Sequence, residues 1–205
     1  MWADKRKNTG FTIIELLIAT SVFTIILLAA VIGFFTVGQT FYKGVSNSQT
    51  QTVARKILDS ASSDIRFAST VTSAIPIDSG NSYYICIGEV RYTYNFYKKV
   101  ELDNHDTSNN FGIIRDEPGA CGSPFGSGAI EYNNPTELLA NKMRLGGFFV
   151  WPKGDDLYQV VVKVAYGDNE SLEEFDNYAV SCDTNLTSSR FCAVSELSTM
   201  ATKGY

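Results

Sequence analysis

The chain begins with a long apolar segment, which predicts a helix able to cross a membrane. Residues 16–42 include no charged side chain, and residues 11–37 contain a single acid, Glu15. At about 1.5 Å per residue such a helix would be roughly 40 Å long, which exceeds the bilayer core of about 30 Å. The ten residues before it are polar and net positive, with the bases Lys5, Arg6 and Lys7. Because basic flanks stay in the cytoplasm, we expect a single-pass protein with a cytoplasmic N-terminus and an extracytoplasmic domain.

The helical pattern continues beyond the apolar segment but becomes one-sided. No proline occurs before Pro76, and between positions 53 and 68 apolar residues recur at spacings of three and four. This spacing predicts an amphipathic helix with one buried face. The apolar face holds Val53, Ile57, Leu58, Ala61, Ile65 and Ala68, and the polar face holds Lys56, Asp59, Ser60, Ser63 and Asp64. We therefore predict one helix from Phe11 to about Ala68, apolar all round in its first half and amphipathic in its second.

From Tyr83 onward the apolar period changes to two, which predicts β-strands separated by clusters of Gly, Pro, Asn and Asp. One helix followed by several strands predicts an α+β domain in which an antiparallel sheet packs on the helix. The alternating Tyr92, Tyr94 and Phe96 could form a stacking platform for a ligand, but such alternation more often marks the buried face of a strand, which we expect here. The strand candidates are residues 83–87, 90–97, 111–115, 147–151, 158–166 and 178–182.

The charge balance and the absence of known motifs narrow the possible chemistry. The sequence holds 17 basic and 22 acidic residues, for a net charge of −5. An acidic chain repels phosphate backbones, so no nucleic-acid partner is expected. The single histidine, His105, lies in a polar run and excludes multi-histidine metal sites. Since no nucleotide-binding or hydrolase motif occurs, we expect neither an enzyme nor a cofactor.

An oxygen-rich stretch near the C-terminal third is the one place where a metal could be considered. Its spacing matches no known calcium loop, so we interpret it as a solvated acidic loop and predict no metal site. The stretch consists of Asp168, Asn169, Glu170, Glu173, Glu174 and Asp176.

The four cysteines indicate disulfides rather than a metal or redox site. None of them forms a C-x-x-C pair, and an even number in an exported chain favours two disulfides. The residues alone leave three pairings open, and four buried free thiols are the alternative. The cysteines are Cys86, Cys121, Cys182 and Cys192.

Three explanations compete for the N-terminal segment. A cleaved secretory signal has a shorter apolar region than this one. An uncleaved signal anchor fits the length but leaves Glu15 unexplained, because an unpaired carboxylate costs about 2.5–3.5 kcal/mol at mid-membrane. The third explanation comes from the residues around that acid, which resemble the processing motif of type IV prepilins and type II secretion pseudopilins. They read Gly10-Phe11-Thr12-Ile13-Ile14-Glu15-Leu16-Leu17.

This resemblance implies a role for each residue of the motif. The prepilin peptidase would cut after Gly10 on the cytoplasmic side and methylate the new N-terminus, Phe11. Glu15 would be the assembly acid, pairing in the apolar layer with the amine of a neighbouring subunit. The implied partners are the peptidase, other pilin or pseudopilin subunits and the membrane, with a place in a filament or at the cell surface after assembly. The implied divisions are a leader over 1–10, an assembly helix over 11–37, an amphipathic helix over 38–70 and a β-rich extracytoplasmic domain over 71–205.

Looser similarities point to one branch of this family, the J-type minor pseudopilins and W-type minor pilins. They involve residues 64–68, the strand that contains Cys86, and residues 191–195. The short loop between Cys182 and Cys192 resembles the C-terminal disulfide loop of many pilins, so we predict Cys182–Cys192 and Cys86–Cys121. The resemblance therefore implies a minor structural subunit of a pilus or pseudopilus. The alternatives are a signal-anchored surface binding domain, such as an adhesin, and a tethered enzyme, for which the sequence offers no nucleophile–base pair.

Overall fold

A computed structural model provides the structure of this chain. It describes residues 11–77, 82–100, 111–118, 121–124, 131–167, 172–175, 179–183 and 191–204, with the backbone alone for 173–175 and 179. The chain divides into two compact units, Met1–Phe41 and Tyr42–Tyr205. The described elements are α1 (Ile13–Phe67), β1 (Ile75–Pro76), β2 (Ser82–Ile87), β3 (Val90–Asn95), β4 (Ile113–Asp116), β5 (Thr136–Glu137), β6 (Met143–Pro152), β7 (Leu157–Tyr166), β8 (Leu172–Phe175), β9 (Ala179–Cys182) and β10 (Ala193–Thr202).

The long helix predicted from the sequence is present and extends over 55 residues. It begins at Ile13 rather than Phe11, because Thr12 accepts the first helical hydrogen bond, from the Leu16 N–H (3.2 Å), and therefore caps the helix. It ends at Phe67, where the N–H of Gly204 donates to the carbonyl of Arg66 (2.9 Å). The C-terminal segment thus satisfies a carbonyl that the end of the helix leaves without an intrahelical partner.

The strands form antiparallel sheets, as the sequence predicts. One sheet has the order β1-β2-β3-β4-β5, a second has the order β10-β7-β6, and β8 pairs with β9. A parallel bridge between Phe96 and Leu145 connects the end of β3 to β6. The α+β fold class is therefore confirmed.

The core of the second unit lies between the amphipathic half of α1 and these sheets. Ala54, Ile57, Ala61 and Ile65 are fully buried, which confirms the predicted apolar face of the helix. The aromatic alternation of β3 also faces this core, since Tyr92 packs against Phe148 with ring centroids 5.5 Å apart. The set Tyr92, Tyr94 and Phe96 is thus the buried face of a strand and its bridge, and not an exposed stacking platform.

Several strand boundaries differ from the sequence prediction. The candidate at 90–97 ends at Asn95, because Tyr97 has a φ of 65° and turns the chain out of the extended conformation. The candidate at 147–151 is longer, since β6 begins at Met143 and passes through a register shift between Leu145 and Gly147. Such a bulge bends the strand and re-aims its side chains.

The last strand, β10, was missing from the prediction although it is one of the longest. It pairs with β7 over ten consecutive residues. Near the start of β10, the hydroxyl of Ser195 forms a hydrogen bond with that of Thr50 in the helix (2.7 Å). After β10, the N–H of Gly204 donates to the carbonyl of Arg66 at the end of the helix. The strand therefore runs beside the amphipathic half of α1 and closes the core.

Candidate functional site

The sequence-predicted processing site lies at the start of the first unit. Gly10 and the rest of the basic leader lie outside the described residues. Phe11 is described, is 84% exposed and precedes the helix. Glu15 occupies the first helical turn. The two described residues of the predicted site are therefore separated by less than two turns of chain and lie on either side of the helix start.

Thr12 and Glu15 form a capping box at this position. The backbone N–H and the hydroxyl of Thr12 both donate to Oε2 of Glu15, at 2.9 Å each. In return the N–H of Glu15 donates to Oγ1 of Thr12 (3.3 Å). This reciprocal arrangement satisfies donors that every helix leaves unpaired in its first turn.

The surface around Glu15 is apolar and exposed. In the described part of the chain one helix, Ile13–Phe67, is long and apolar enough to cross a membrane. Residues 11–37 are all exposed, and the large apolar side chains among them have no buried position in this unit. Water disfavours such a surface strongly, so a membrane or other proteins must cover it. Together with its place near the N-terminus, this indicates a single-pass membrane anchor.

Hydroxyl side chains within the apolar segment are satisfied inside the helix. Thr20 donates to the carbonyl of Leu17 (3.0 Å), and Thr36 donates to that of Ile32 (2.9 Å). Ser21, Thr24 and Thr40 make the same kind of bond. Because these groups are paired locally, they add little to the cost of transferring the helix into lipid. Glu15 is the only charged side chain in the segment, and its hydrogen bonds to Thr12 leave that charge without an opposite charge among residues 11–37.

In the second unit, a polar network fixes the helix to the larger sheet. Asp64 was expected on the solvated face, but its carboxylate binds Arg115 in a bidentate manner (2.9 and 3.0 Å). The hydroxyl of Tyr92 also donates to Asp64 (2.5 Å) and lies 3.1 Å from that of Ser60. Burial, reinforced by the charge of Asp64, raises the pKa of Tyr92. The polar face of the helix therefore also holds contacts with β3 and β4.

The cysteines are joined in two disulfides, in the pairing that the sequence analysis predicts. Cys86 is bonded to Cys121, with 6.0 Å between the Cα atoms, and Cys182 is bonded to Cys192, with 5.8 Å. The first disulfide closes a chain separation of 35 residues and the second a separation of 10. By the chain-entropy argument, the first contributes roughly 4 kcal/mol to the free energy of unfolding and the second a little under about 3 kcal/mol.

A buried ion pair lies beside the first disulfide. Arg91 binds Asp116 through two nitrogens (3.0 and 2.6 Å) and donates to the carbonyls of Gly122 and Glu131 (2.8 Å each). Both side chains are almost fully buried. All these acceptors converge on one guanidinium, so Arg91 ties the chain around Cys121 to β3 and β4.

Arg91 also borders a recess of about 310 Å³, which Tyr132 and Asn133 line as well. The guanidinium of Arg91 is already paired with Asp116. Burial raises the pKa of the Tyr132 phenol. His105 lies outside the described residues, so the described walls of the recess contain no imidazole base.

No group of histidine, cysteine and acidic residues that could hold a metal occurs among the described residues. The acidic stretch considered for calcium falls mostly outside them: Asp168, Asn169, Glu170 and Asp176 are not described, and Glu173 and Glu174 lie on β8. The prediction of no metal site therefore stays a prediction for that stretch.

Sequence reasoning missed two contributors to these sites. The signal for Thr12 was present, since Thr12-x-x-Glu15 has the spacing of a capping box just before an apolar run. The signal for the Asp64–Arg115 pair was absent, because 51 residues separate its members.

Comparison with known families bears on the N-terminal segment. Residues 5–31 match the family model described as the prokaryotic N-terminal methylation motif. No curated protein and no solved structure matches the chain. The match includes Gly10, Phe11, Thr12 and Glu15 within its bounds. The chain therefore carries a prokaryotic N-terminal methylation motif near its N-terminus. This motif supports the interpretation of the chain as a type IV pilin-like prepilin.

Proposed function

We propose that this chain is a minor pilin-like structural subunit that is processed by prepilin peptidase and assembled into a type IV pilus or a type II secretion pseudopilus. The observation that carries the proposal is the methylation motif over residues 5–31, which overlaps an exposed apolar segment, residues 11–37, whose only charged side chain is Glu15. None of residues 11–37 belongs to the core formed by the described residues. Both are accounted for if the helix is used first in a membrane and then against other subunits.

In this proposal each segment has a separate task. Residues 1–10 are the basic leader, residues 11–37 cross the membrane and assemble, residues 38–70 are the amphipathic part of the helix, and residues 71–205 form the extracytoplasmic domain. Cleavage after Gly10 removes the positive charges that hold the N-terminus in the cytoplasm. It also creates an amine at Phe11, in the same apolar layer as Glu15.

The pairing of Glu15 with the Phe11 amine of a neighbouring subunit supplies the driving force for correct register. An acid or an amine left alone in an apolar layer is costly, whereas a docked pair satisfies both. A structural and non-enzymatic role agrees with the absence of catalytic motifs in the sequence. The J-type or W-type branch is proposed from the resemblance of residues 64–68, of the strand that contains Cys86 and of residues 191–195.

The test is the cleavage of the full-length chain by a co-expressed prepilin peptidase. We expect the wild-type chain to yield a product that begins with N-methylated Phe11, as identified by mass spectrometry. Gly10→Ala should block cleavage, because a side chain hinders entry of an extended backbone into the protease cleft. The matched control is Gly33→Ala in the same helix, where an added Cβ meets no atom within 4 Å, and it should be cleaved normally. Cleavage of Gly10→Ala at the wild-type rate would argue against the proposed site.

Identification of the N-terminal residue by mass spectrometry, on protein from its native membrane, also distinguishes a processed subunit from a signal-anchored adhesin. An anchor would retain Met1 and Trp2, whereas a processed subunit begins at Phe11. Recovery of the unprocessed chain alone, in the presence of an active peptidase, would favour the adhesin.

A further inference from the structure

We infer that Arg91 is a positioning residue for the Cys86–Cys121 disulfide: while both cysteines are still reduced, its guanidinium holds the chain around Cys121 beside Cys86. This inference goes beyond the proposed function and does not depend on it, since it concerns how the second unit acquires one of its disulfides. Four cysteines permit three pairings. A folded segment that brings two thiols together before oxidation selects one of them.

Strand register places Cys86, Arg91 and Asp116 in one row across three strands. Cys86 on β2 lies opposite Arg91 on β3, and Arg91 lies opposite Asp116 on β4. Residues that are directly opposite on adjacent antiparallel strands project from the same face of the sheet, with Cβ atoms about 5 Å apart. The row depends on the backbone pairing of the strands and on no bond to Cys121.

Cys121 belongs to the segment that follows β4, and Arg91 holds that segment at two points. One terminal nitrogen of the guanidinium donates to the carbonyl of Gly122, the residue next to Cys121 (2.8 Å). The other donates to the carbonyl of Glu131 (2.8 Å). Neither contact involves a sulfur atom, so both can form in the reduced chain.

Asp116 orients the guanidinium and binds the far end of the same segment. Its two oxygens accept hydrogen bonds from Arg91 (3.0 and 2.6 Å), and Oδ2 also accepts the N–H of Asn133 (3.3 Å). The side-chain amide of Asn133 donates to the carbonyl of Glu117 (2.7 Å), and its own carbonyl accepts the Glu117 N–H (3.1 Å). These contacts close the base of the segment without the disulfide.

Burial makes the guanidinium selective for this arrangement. The side chains of Arg91 and Asp116 are 3% and 0% exposed. A buried guanidinium that lost an acceptor would keep a charged N–H group without a partner, which costs more than the loss of a neutral hydrogen bond. Conformations that keep Gly122 and Glu131 in place are therefore favoured, and they keep Cys121 beside Cys86.

The disulfide then forms by thiol–disulfide exchange with a small disulfide oxidant, such as glutathione disulfide. Cys121 is partly exposed and Cys86 is buried, so the Cys121 thiolate attacks the oxidant, forms a mixed disulfide and releases one thiolate. The Cys86 thiolate attacks the Cys121 sulfur and releases the second. Two protein thiols are oxidised, and the oxidant becomes two thiols that take up the two protons. Positioning by Arg91 favours the second attack because it raises the effective concentration of one sulfur near the other.

The experiment measures the equilibrium constant of each disulfide against glutathione in the full-length chain in detergent micelles. Free thiols are alkylated, and peptide mapping quantifies the two disulfides separately, with Cys182–Cys192 as the internal control. Arg91→Met with Asp116→Leu removes the guanidinium and leaves no unpaired charge. It should lower the constant of Cys86–Cys121 relative to that of Cys182–Cys192 by about ten-fold or more, the factor for loss of one hydrogen bond to a charged group.

The matched control removes the other ion pair of the unit. Arg115→Met with Asp64→Leu breaks the contact between β4 and the helix and should leave the ratio of the two constants at its wild-type value. If the Arg91→Met, Asp116→Leu protein fails to fold, Arg91→Lys decides, because lysine keeps the charge but lacks the planar fork of donors and should also lower the ratio. A wild-type ratio in the deciding variant, or an equal fall of the ratio in the control, would overturn the inference.

A second readout removes the sulfur chemistry. In the full-length chain with Cys86→Ala and Cys121→Ala, the amides of Glu117 and Glu131, which donate to the carbonyls of Asn133 and Pro124, should stay protected from hydrogen exchange. Adding Arg91→Met and Asp116→Leu should raise both exchange rates about ten-fold or more. Exchange of both amides at the rate of an unstructured chain in the two-alanine protein would mean that the disulfide holds the segment, and the inference would be wrong.

Discussion

Each of the two units contains one part of α1, and the apolar side chains of the two parts differ in their exposure. In the first unit, residues 11–37 are exposed on every side, and the hydroxyls of Thr20 and Thr36 donate to carbonyls of their own helix. In the second unit, the helix buries a single stripe that includes Ile57 and Ile65 under the sheets. The second half of the helix therefore packs against other parts of the chain, whereas the exposed apolar first half requires cover by a membrane or by other proteins.

The two units also differ in how they treat charge. The second unit contains a fully buried ion pair, Arg91–Asp116, and a half-buried one, Arg115–Asp64, each with both members inside the unit. The first unit has Glu15 as its only charged residue between Phe11 and Tyr42. Charges that stabilise a fold are paired within it, whereas Glu15 has no basic side chain to pair with between Phe11 and Tyr42, which indicates a partner from outside that segment.

The largest expected effect comes from breaking the buried pair of the second unit. Asp116→Ala leaves the Arg91 guanidinium buried without its carboxylate, so we expect a loss of about 3–5 kcal/mol in the free energy of unfolding. Chemical denaturation of the mature chain in detergent measures this loss. The double variant Arg91→Met with Asp116→Leu serves as control and should recover much of it, because no unpaired charge remains. Equal destabilisation of both variants would mean that packing rather than charge accounts for the effect.

The same substitution placed in each half of the helix tests the comparison itself. Ile57→Ala removes a fully buried side chain and should cost about 2–5 kcal/mol in the free energy of unfolding of the second unit. Ile26→Ala removes a side chain that is 62% exposed and should change that free energy by less than about 0.5 kcal/mol. Denaturation of both variants under the same conditions provides the measurement. Similar losses would show that the first half of the helix also contributes to the fold.

A smaller effect with a pH signature is expected at Tyr92. Tyr92→Phe removes the hydrogen bonds to Asp64 and Ser60 and should cost about 1.5–3 kcal/mol at neutral pH. Because the folded state raises the pKa of Tyr92, its contribution is present below the ordinary phenol value near 10 and is lost as the pH rises above it.

The wild-type chain and Tyr92→Phe should therefore differ less in stability above about pH 10 than at pH 7. Tyr132, whose pKa burial also raises, leaves part of the alkaline loss in both proteins. Unfolding free energies measured from pH 7 to 11 provide the test. A difference that stays constant over this range would contradict the assigned cause.

The smallest effect concerns an exposed pair on the second unit. Glu196 lies 3.3 Å from Lys163 but is more than half exposed, so Glu196→Ala should cost less than about 1 kcal/mol. The cost should fall further at 1 M salt, where screening removes most of the attraction. A loss comparable to that of Asp116→Ala would show that exposure does not separate the two kinds of pair.

The helix and the fold class could be predicted from the sequence because both depend on local periodicity. The stripe through Ile57 and Ile65 and the alternation through Tyr92 are patterns that a single segment carries by itself. The strand β10 carries a weaker pattern, since its inward positions hold Ala193, Ser195 and Ala201. Ser195 is buried where it meets Thr50 of the helix (2.7 Å), and the sequence of the strand does not contain that information.

The candidate site was predicted in part for the same reason. Phe11 and Glu15 belong to one short motif, and Thr12 has a recognised spacing from Glu15, so nearby residues were enough. The pairing of Asp64 with Arg115 and of Arg91 with Asp116 depends on strand register across distant segments. Periodicity predicted Asp64 on a solvated face, and only the packing of the helix on β4 brings Arg115 to it.

The central claim is that Glu15 works with a partner from outside its own subunit, and filament incorporation tests it most directly. Wild type, Glu15→Gln and Glu15→Ala are compared by the amount of Phe11-terminated protein in sheared filaments and in membranes. We expect Glu15→Ala to be cleaved after Gly10 like wild type but to be largely absent from filaments, because the neighbouring amine loses its partner, with Glu15→Gln intermediate. Incorporation of Glu15→Ala at the wild-type level would contradict the account.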